Sequence, residues 1–182
     1  MVSVVLLLVS AAMVSLPTAA QSGQKIAAFY AAHGQLIVIQ QVVGAVALAA
    51  FVLFALSLRP NRWLRPTLLA FIALELVTNI VPLVILVAAG TPGAAHSWTF
   101  VEDIADALFS IAIALFVAAA TLAEPLWVRI LGYAVAALNV LRGVGEPLGF
   151  TALDAIAPLA FVAFMVVFSA KLLVRPLGRP AQ

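Results

Sequence analysis

Apolar residues run through this chain in long, nearly unbroken stretches, and the few polar side chains lie between them or at wide intervals inside them. The stretches at 1–20, 35–57, 67–90, 101–122, 127–146 and 154–173 each supply the ~20 apolar residues a helix needs to cross a bilayer. Each also closes on Pro, Gly or a charge. The pattern predicts an all-α, polytopic transmembrane helical bundle of about six helices, in a single domain covering 1–182. The first stretch, MVSVVLLLVSAAMVSLPTAAQ, ends in small residues as a secretory signal would, but no Lys or Arg precedes its apolar run. It reads as a retained helix, with a signal peptide cleaved after Ala20 as the alternative.

Charge sets the expected orientation. Arg59, Arg62 and Arg65 in SLRPNRWLRP, Arg129 after the fourth stretch, and Lys171, Arg175 and Arg179 in the tail alternate onto one side. Only Lys25 and Arg142 depart from that rule. A basic side faces the cytoplasm, so both termini are expected inside. Trp63, Trp98 and Trp127 fall at expected helix ends, where indole rings settle at the membrane interface. Lys171 sits near the end of the last helix, a position from which a long side chain snorkels to the interface.

Composition agrees with the pattern. Hydrophobic residues make up 66% of the chain and charged residues 9%, with a mean hydropathy of +1.24, far outside the range of soluble domains. The expected partner is the lipid bilayer, with a homo-oligomer or a membrane protein partner as a further possibility. The formal charge of +2 reflects loop arginines and gives no nucleic-acid surface. With no cysteine, disulfides, thiolate metal sites and thiol redox chemistry are excluded. No cofactor or metal is expected, because His33 in AAHGQ and His96 in GAAHSW read as outer-loop residues without neighbours at ligand spacing.

Polar groups inside the apolar stretches narrow the search for a site, since a charge in hydrocarbon costs ~2.5–3.5 kcal/mol on insertion scales and turns toward the bundle interior. The second stretch carries Gln40 and Gln41, and the third carries Glu75 and Asn79 ahead of Pro82. In VEDIADALFS, Asp103, Asp106 and Ser110 recur at helical spacing, and ALNVLRGVGEPLGF supplies Asn139, Arg142 and Glu146. With alternating helix directions these groups fall in the outer half of the bundle, Glu75 nearest its middle. Arg142 needs a carboxylate, from Glu146 one turn on or from Asp103 or Asp106 on the neighbouring helix, and Asp106 is favoured.

The candidate ligand or ion pocket is therefore Gln40, Glu75, Asn79, Asp103, Asp106, Asn139, Arg142 and Glu146. The competing explanation is an interhelical clamp of hydrogen bonds and ion pairs. The first functional expectation is a non-enzymatic bundle that binds a small ligand or partner through this pocket. The alternative is a proton-coupled small-solute permease in which Glu75 carries the proton. A third reading has Asp103 and Asp106 holding a divalent cation in a membrane enzyme, although no nucleophile, metal or phosphate-loop motif accompanies them.

Two further patterns bear on architecture. WLRPTLLAFIALE (63–75) and WVRILGYAVAALN (127–139) align without gaps and place Glu75 opposite Asn139, suggesting that one helix pair repeats in the same orientation. VVGAVALAA and IAIALFVAAA are rich in small residues that let helices approach closely. With about six helices, SLRPNRWLRP after the second, and EPLWVRILGY leading to an apolar helix and a basic tail, the chain resembles bacterial multi-pass membrane proteins catalogued as domains of unknown function. That resemblance implies a bacterial cytoplasmic membrane and no particular chemistry.

Overall fold

The computed structural model describes residues 5–6, 9–10, 13–88, 90–148, 150 and 152–173. Among them are five α-helices and no strand: α1 Gly23–Leu56, α2 Leu64–Ala88, α3 Pro92–Thr121, α4 Leu126–Gly145 and α5 Ile156–Leu173, with a 3-10 turn at Glu146–Leu148 after α4. Helices α1 to α4 are long and apolar enough to cross a membrane, which marks the chain as a membrane protein. Of the helix expected over 1–20, residues 5–6, 9–10 and 13 are helical, and 1–4, 7–8 and 11–12 lie outside the described residues. Its last part is not helical, because residues 14–18 carry Pro17, which pushes the residue before it away from helical geometry.

Two helices begin well before the apolar runs that announced them. Helix α1 starts at Gly23 rather than at 35, because the Ser22 hydroxyl caps it by accepting from Lys25 N at 3.5 Å and nothing in QKIAAFYAAHGQ breaks the turn. Helix α3 starts at Pro92 rather than at 101, with Thr91 as its cap and Pro92 at a first-turn position where no N–H is needed. His33 and His96 are therefore helical residues, not loop residues. His33 stacks on Phe29 at 4.4 Å, and its Nδ1 bonds the Phe29 carbonyl at 3.0 Å. At 34 residues and 1.5 Å per residue, α1 is about 50 Å long and outruns a ~30 Å hydrocarbon core.

Helix α3 is the centre of the bundle, packed most extensively between α2 and α4, with α1 also against it and α5 against α4. Helices α2 and α4 pack on either side of α3. At the end where α1 finishes and α2 begins, Phe51 stacks on Phe71 at 4.3 Å and meets Phe116 edge-on at 5.1 Å, and Phe161, Phe164 and Phe168 of α5 complete this core. At the opposite end a smaller core joins Ile26, Tyr30, Ile37, Val81, Ile85 and Ala95, with Val14 and Leu16 packed on it.

The two ends differ in charge. Arg59, Arg62, Arg65, Arg129 and Lys171 lie at the aromatic end, where the Asn61 amide donates to the Ala119 carbonyl at 2.9 Å and ties the first turn of α2 to the end of α3. Lys171 does not simply snorkel to the interface. It forms an ion pair with Glu124, whose carboxylate is buried in the turn between α3 and α4.

Candidate functional site

Three of the chain's seven acidic residues, Asp106, Glu146 and Asp154, gather around one guanidinium. Arg142, on the last turn of α4, reaches across to α3 and donates to Asp106 and to the Ser110 hydroxyl. Glu146 and Asp154, from the turns after α4, lie 3.5 and 3.7 Å from the same group. The approach is close because position 143 is glycine: a Cβ there would sit 2.5 Å from the Ala107 carbonyl oxygen. The guanidinium is thus enclosed by three carboxylates, of which Asp154 carried no helical-spacing signal in the sequence.

Glu75 stands apart from that ion cluster. It is 8% exposed on α2 and feels the charge of Asp106 across the α2–α3 interface. Its carboxylate accepts from the Asn79 amide at 3.1 Å, and the same amide also bonds the Glu75 carbonyl at 2.7 Å. Among the described residues no cation pairs with it. Gly44 of α1 faces this amide so closely that a Cβ would lie 2.5 Å from Asn79 Oδ1. Pro82 follows in the same helix and removes the N–H that would bond the Thr78 carbonyl. The Thr78 hydroxyl meanwhile turns back to the Glu75 carbonyl at 3.0 Å. The ladder of α2 therefore lacks one bond, at the Thr78 carbonyl about a turn past Glu75, and proline-interrupted helices recur among membrane helices lining solute paths.

A second buried carboxyl was not among the expected pocket residues. Glu102, 9% exposed, accepts from the Tyr30 hydroxyl at 3.3 Å. Residues 99, 102, 106 and 110 recur at three and four, so Glu102 shares the inner face of α3 with Thr99, Asp106 and Ser110. Asp103 is one step round the helix and serves a different contact. It accepts from the Ala19 backbone N–H at 2.8 Å, while His96 Nε2 donates to the Ala19 carbonyl at 3.0 Å. Tyr30 lay within a run read as a loop, which is why its partnership with Glu102 was not foreseen.

The remaining expected pocket residues are placed as follows. Gln40 does not line the acidic cluster; its amide donates to the carbonyls of Ser10 and Val14 at 3.0 Å each and ties the segment before α1 to that helix. Asn139, 1% exposed, lies one turn before Arg142 and donates to the Val135 carbonyl at 2.9 Å. Its Oδ1 has no protein partner. Glu146 lies just beyond the end of α4. Burial, reinforced by the nearby Asp106 charge and opposed by Arg142, pushes its carboxyl up to about 7.

A cavity of about 140 Å³ opens between α1, α2 and α3, lined by Ala27, Tyr30, Ala31, Ile85, Leu86 and Ala95. Among the described residues no group of three or more His, Asp or Glu is arranged to hold a metal ion. Compared with known protein families, curated proteins and solved structures, the chain matches none.

Proposed function

We propose that the protein is a proton-coupled small-solute permease of a bacterial cytoplasmic membrane, in which Glu75 exchanges the proton. Its arginine-rich end faces the cytoplasm by the positive-inside rule, and the acidic end opens outward. The observation that carries the reading is the contrast between two neighbouring carboxyls. Asp106 holds an ion pair with Arg142, whereas Glu75 is buried with one neutral amide partner and, among the described residues, no cation. A paired carboxylate fixes helices; one without a cation partner in a proline-containing helix is suited to gain and lose a proton during transport.

Purely ligand-binding behaviour through the whole polar cluster is less well supported, because Arg142 is already enclosed by carboxylates and Gln40 is engaged by the N-terminal segment. The 140 Å³ cavity beside Tyr30 keeps that second reading in view. The test is proton movement in vesicles containing the purified protein and a pH-sensitive dye, on addition of small cationic, neutral and anionic solutes. At least one solute class should drive proton flux in the wild type, and Glu75→Gln should abolish it with the fold intact. Flux that survives Glu75→Gln, or no flux with any class, would leave the permease reading without support.

A further inference from the structure

We infer that the arginine-rich end carries a binding surface for anionic phospholipid headgroups, centred on the Trp-x-Arg pairs at the starts of α2 and α4. The inference goes beyond the permease reading and does not rest on it.

The protein does not balance the charges at this end. Arg59, Arg62 and Arg65 are exposed and Arg129 is half-buried, and among the described residues none of the four forms an ion pair. Glu124, the one carboxylate among the described residues there, is paired with Lys171. Arg142 at the opposite end is treated differently, being surrounded by Asp106, Glu146 and Asp154. Two of the four arginines contact rings instead of carboxylates: Arg62 lies over the Trp63 ring at 5.0 Å and Arg129 over the Tyr133 ring at 5.9 Å. A ring face orients a guanidinium but leaves its charge uncancelled and its N–H edge available. At Arg129 an acceptor is missing, because its Nε is buried with no hydrogen-bond partner.

The surroundings of these arginines select the ligand. Trp63-Leu64-Arg65 and Trp127-Val128-Arg129 repeat one motif at the starts of α2 and α4. Both indoles are 52% exposed, as rings at a headgroup boundary are. Helix α4 begins after Pro125 with no side-chain cap and no acidic residue in its first turn, so its first N–H groups and the positive end of its dipole are open to an anion. Leu126 and Ile130, one turn apart, are exposed and apolar, and offer a surface to an acyl chain. A phosphodiester with its chains attached uses all of these together: the guanidinium forks two phosphate oxygens, and the indole and aliphatic side chains meet the glycerol and acyl carbons. A zwitterionic phospholipid presents the same phosphate but cancels its charge with an ammonium group. A free phosphate leaves the apolar neighbours unused.

The test uses the full-length protein in nonionic detergent, with thermal unfolding followed as phosphatidylglycerol or phosphatidylcholine of the same acyl chains is added. Phosphatidylglycerol should raise the midpoint saturably and phosphatidylcholine should raise it less, and the gap should narrow at high salt, which screens exposed charges. Arg65→Gln and Arg129→Gln should each raise the half-saturating concentration of phosphatidylglycerol about fivefold. Arg129→Lys, which keeps the charge without the planar fork, should raise it less. Lys25→Gln removes an equal charge from the exposed start of α1, at the opposite end, and should leave the response unchanged. If Arg129→Gln does not fold, the exposed Arg62→Gln and Arg65→Gln carry the same expectation. Equal shifts with the two lipids, or the same loss in Lys25→Gln as in the arginine variants, overturns the surface. A shift as large with glycerol phosphate, which has no acyl chains, overturns the lipid as its occupant.

Discussion

Arg142 on α4 and Asp106 on α3 form an ion pair inside the bundle, and the Ser110 hydroxyl one turn along α3 shares the same guanidinium. The arginine side chain is 12% exposed, so its charge is compensated by protein rather than by water. Removing the cation is therefore worse than removing one carboxylate. Arg142→Met leaves Asp106, Glu146 and Asp154 facing one another and should cost ~3–5 kcal/mol. Asp106→Asn keeps a hydrogen-bond acceptor and two other carboxylates near the guanidinium, and should cost about 1.5–3 kcal/mol. Denaturant unfolding in mild detergent checks the order; equal losses would mean that the other two carboxylates do not share the charge.

The ion pair depends on a glycine. With a Cβ at position 143 only 2.5 Å from the Ala107 carbonyl oxygen, α4 would have to move off α3. Gly143→Ala should destabilise by ~1–3 kcal/mol, the usual range for overpacking. It should also be non-additive with Asp106→Asn, since separating the helices already weakens the Arg142 contact. A double-mutant cycle measures this, and strict additivity would show that helix spacing and ion pair are independent.

Much of this arrangement was legible from spacing alone. Asp106 as the partner of Arg142, the boundaries of α4 and the collection of carboxylates at one end followed from helical periodicity and from the cost of an unpaired charge in hydrocarbon. Hydropathy was a poorer guide to where α1 and α3 begin. Their first turns project beyond the most apolar window and are held by Ser22 and Thr91 caps, a local hydrogen-bond signal that hydropathy does not contain. Losing those turns hid Tyr30 and left Glu102 unassigned, although Thr99, Glu102, Asp106 and Ser110 are as regularly spaced as the Asp103-based set. Spacing could not choose between the two registers. Tertiary contacts did, by directing Asp103 to the Ala19 backbone and Glu102 to Tyr30. The partners of Gln40 were hidden for the same reason, since they lie in the N-terminal segment that hydropathy rendered as uninterrupted helix.

Asn61 joins two elements at the arginine-rich end. Its Oδ1 accepts from the N–H groups of Trp63 and Leu64 at 3.0 and 3.1 Å, and its amide donates to the Ala119 carbonyl at 2.9 Å. Asn61→Ala should cost roughly 1–2 kcal/mol, at the upper part of the range for losing a helix cap. Asn61→Asp should recover most of the capping but not the bond to Ala119. Comparing the two variants by thermal unfolding separates the contributions, and identical values would assign the whole effect to one of them.

Glu146 gives the bundle a pH dependence whose sign follows from its surroundings. Beyond the end of α4 it meets Arg142, Asp106, Asp154 and Asp103; burial and the three acids outweigh the guanidinium and push the carboxyl from its usual 4.5 to about 7. The folded state therefore binds this proton more tightly than the unfolded chain does. Between these two values it holds more protons than the unfolded state, so stability falls as pH rises. The contribution is complete below about 4.5 and is lost as pH passes through about 7. Glu146→Gln keeps the size of the side chain and cannot ionise. Relative to the wild type it should show a flatter dependence of unfolding midpoint on pH between 5 and 7, and above that range it should be the more stable of the two. Every other side chain is common to both proteins, so the difference between the two curves isolates Glu146. A wild type that becomes more stable than Glu146→Gln as pH rises would mean that the ion pair with Arg142 outweighs burial.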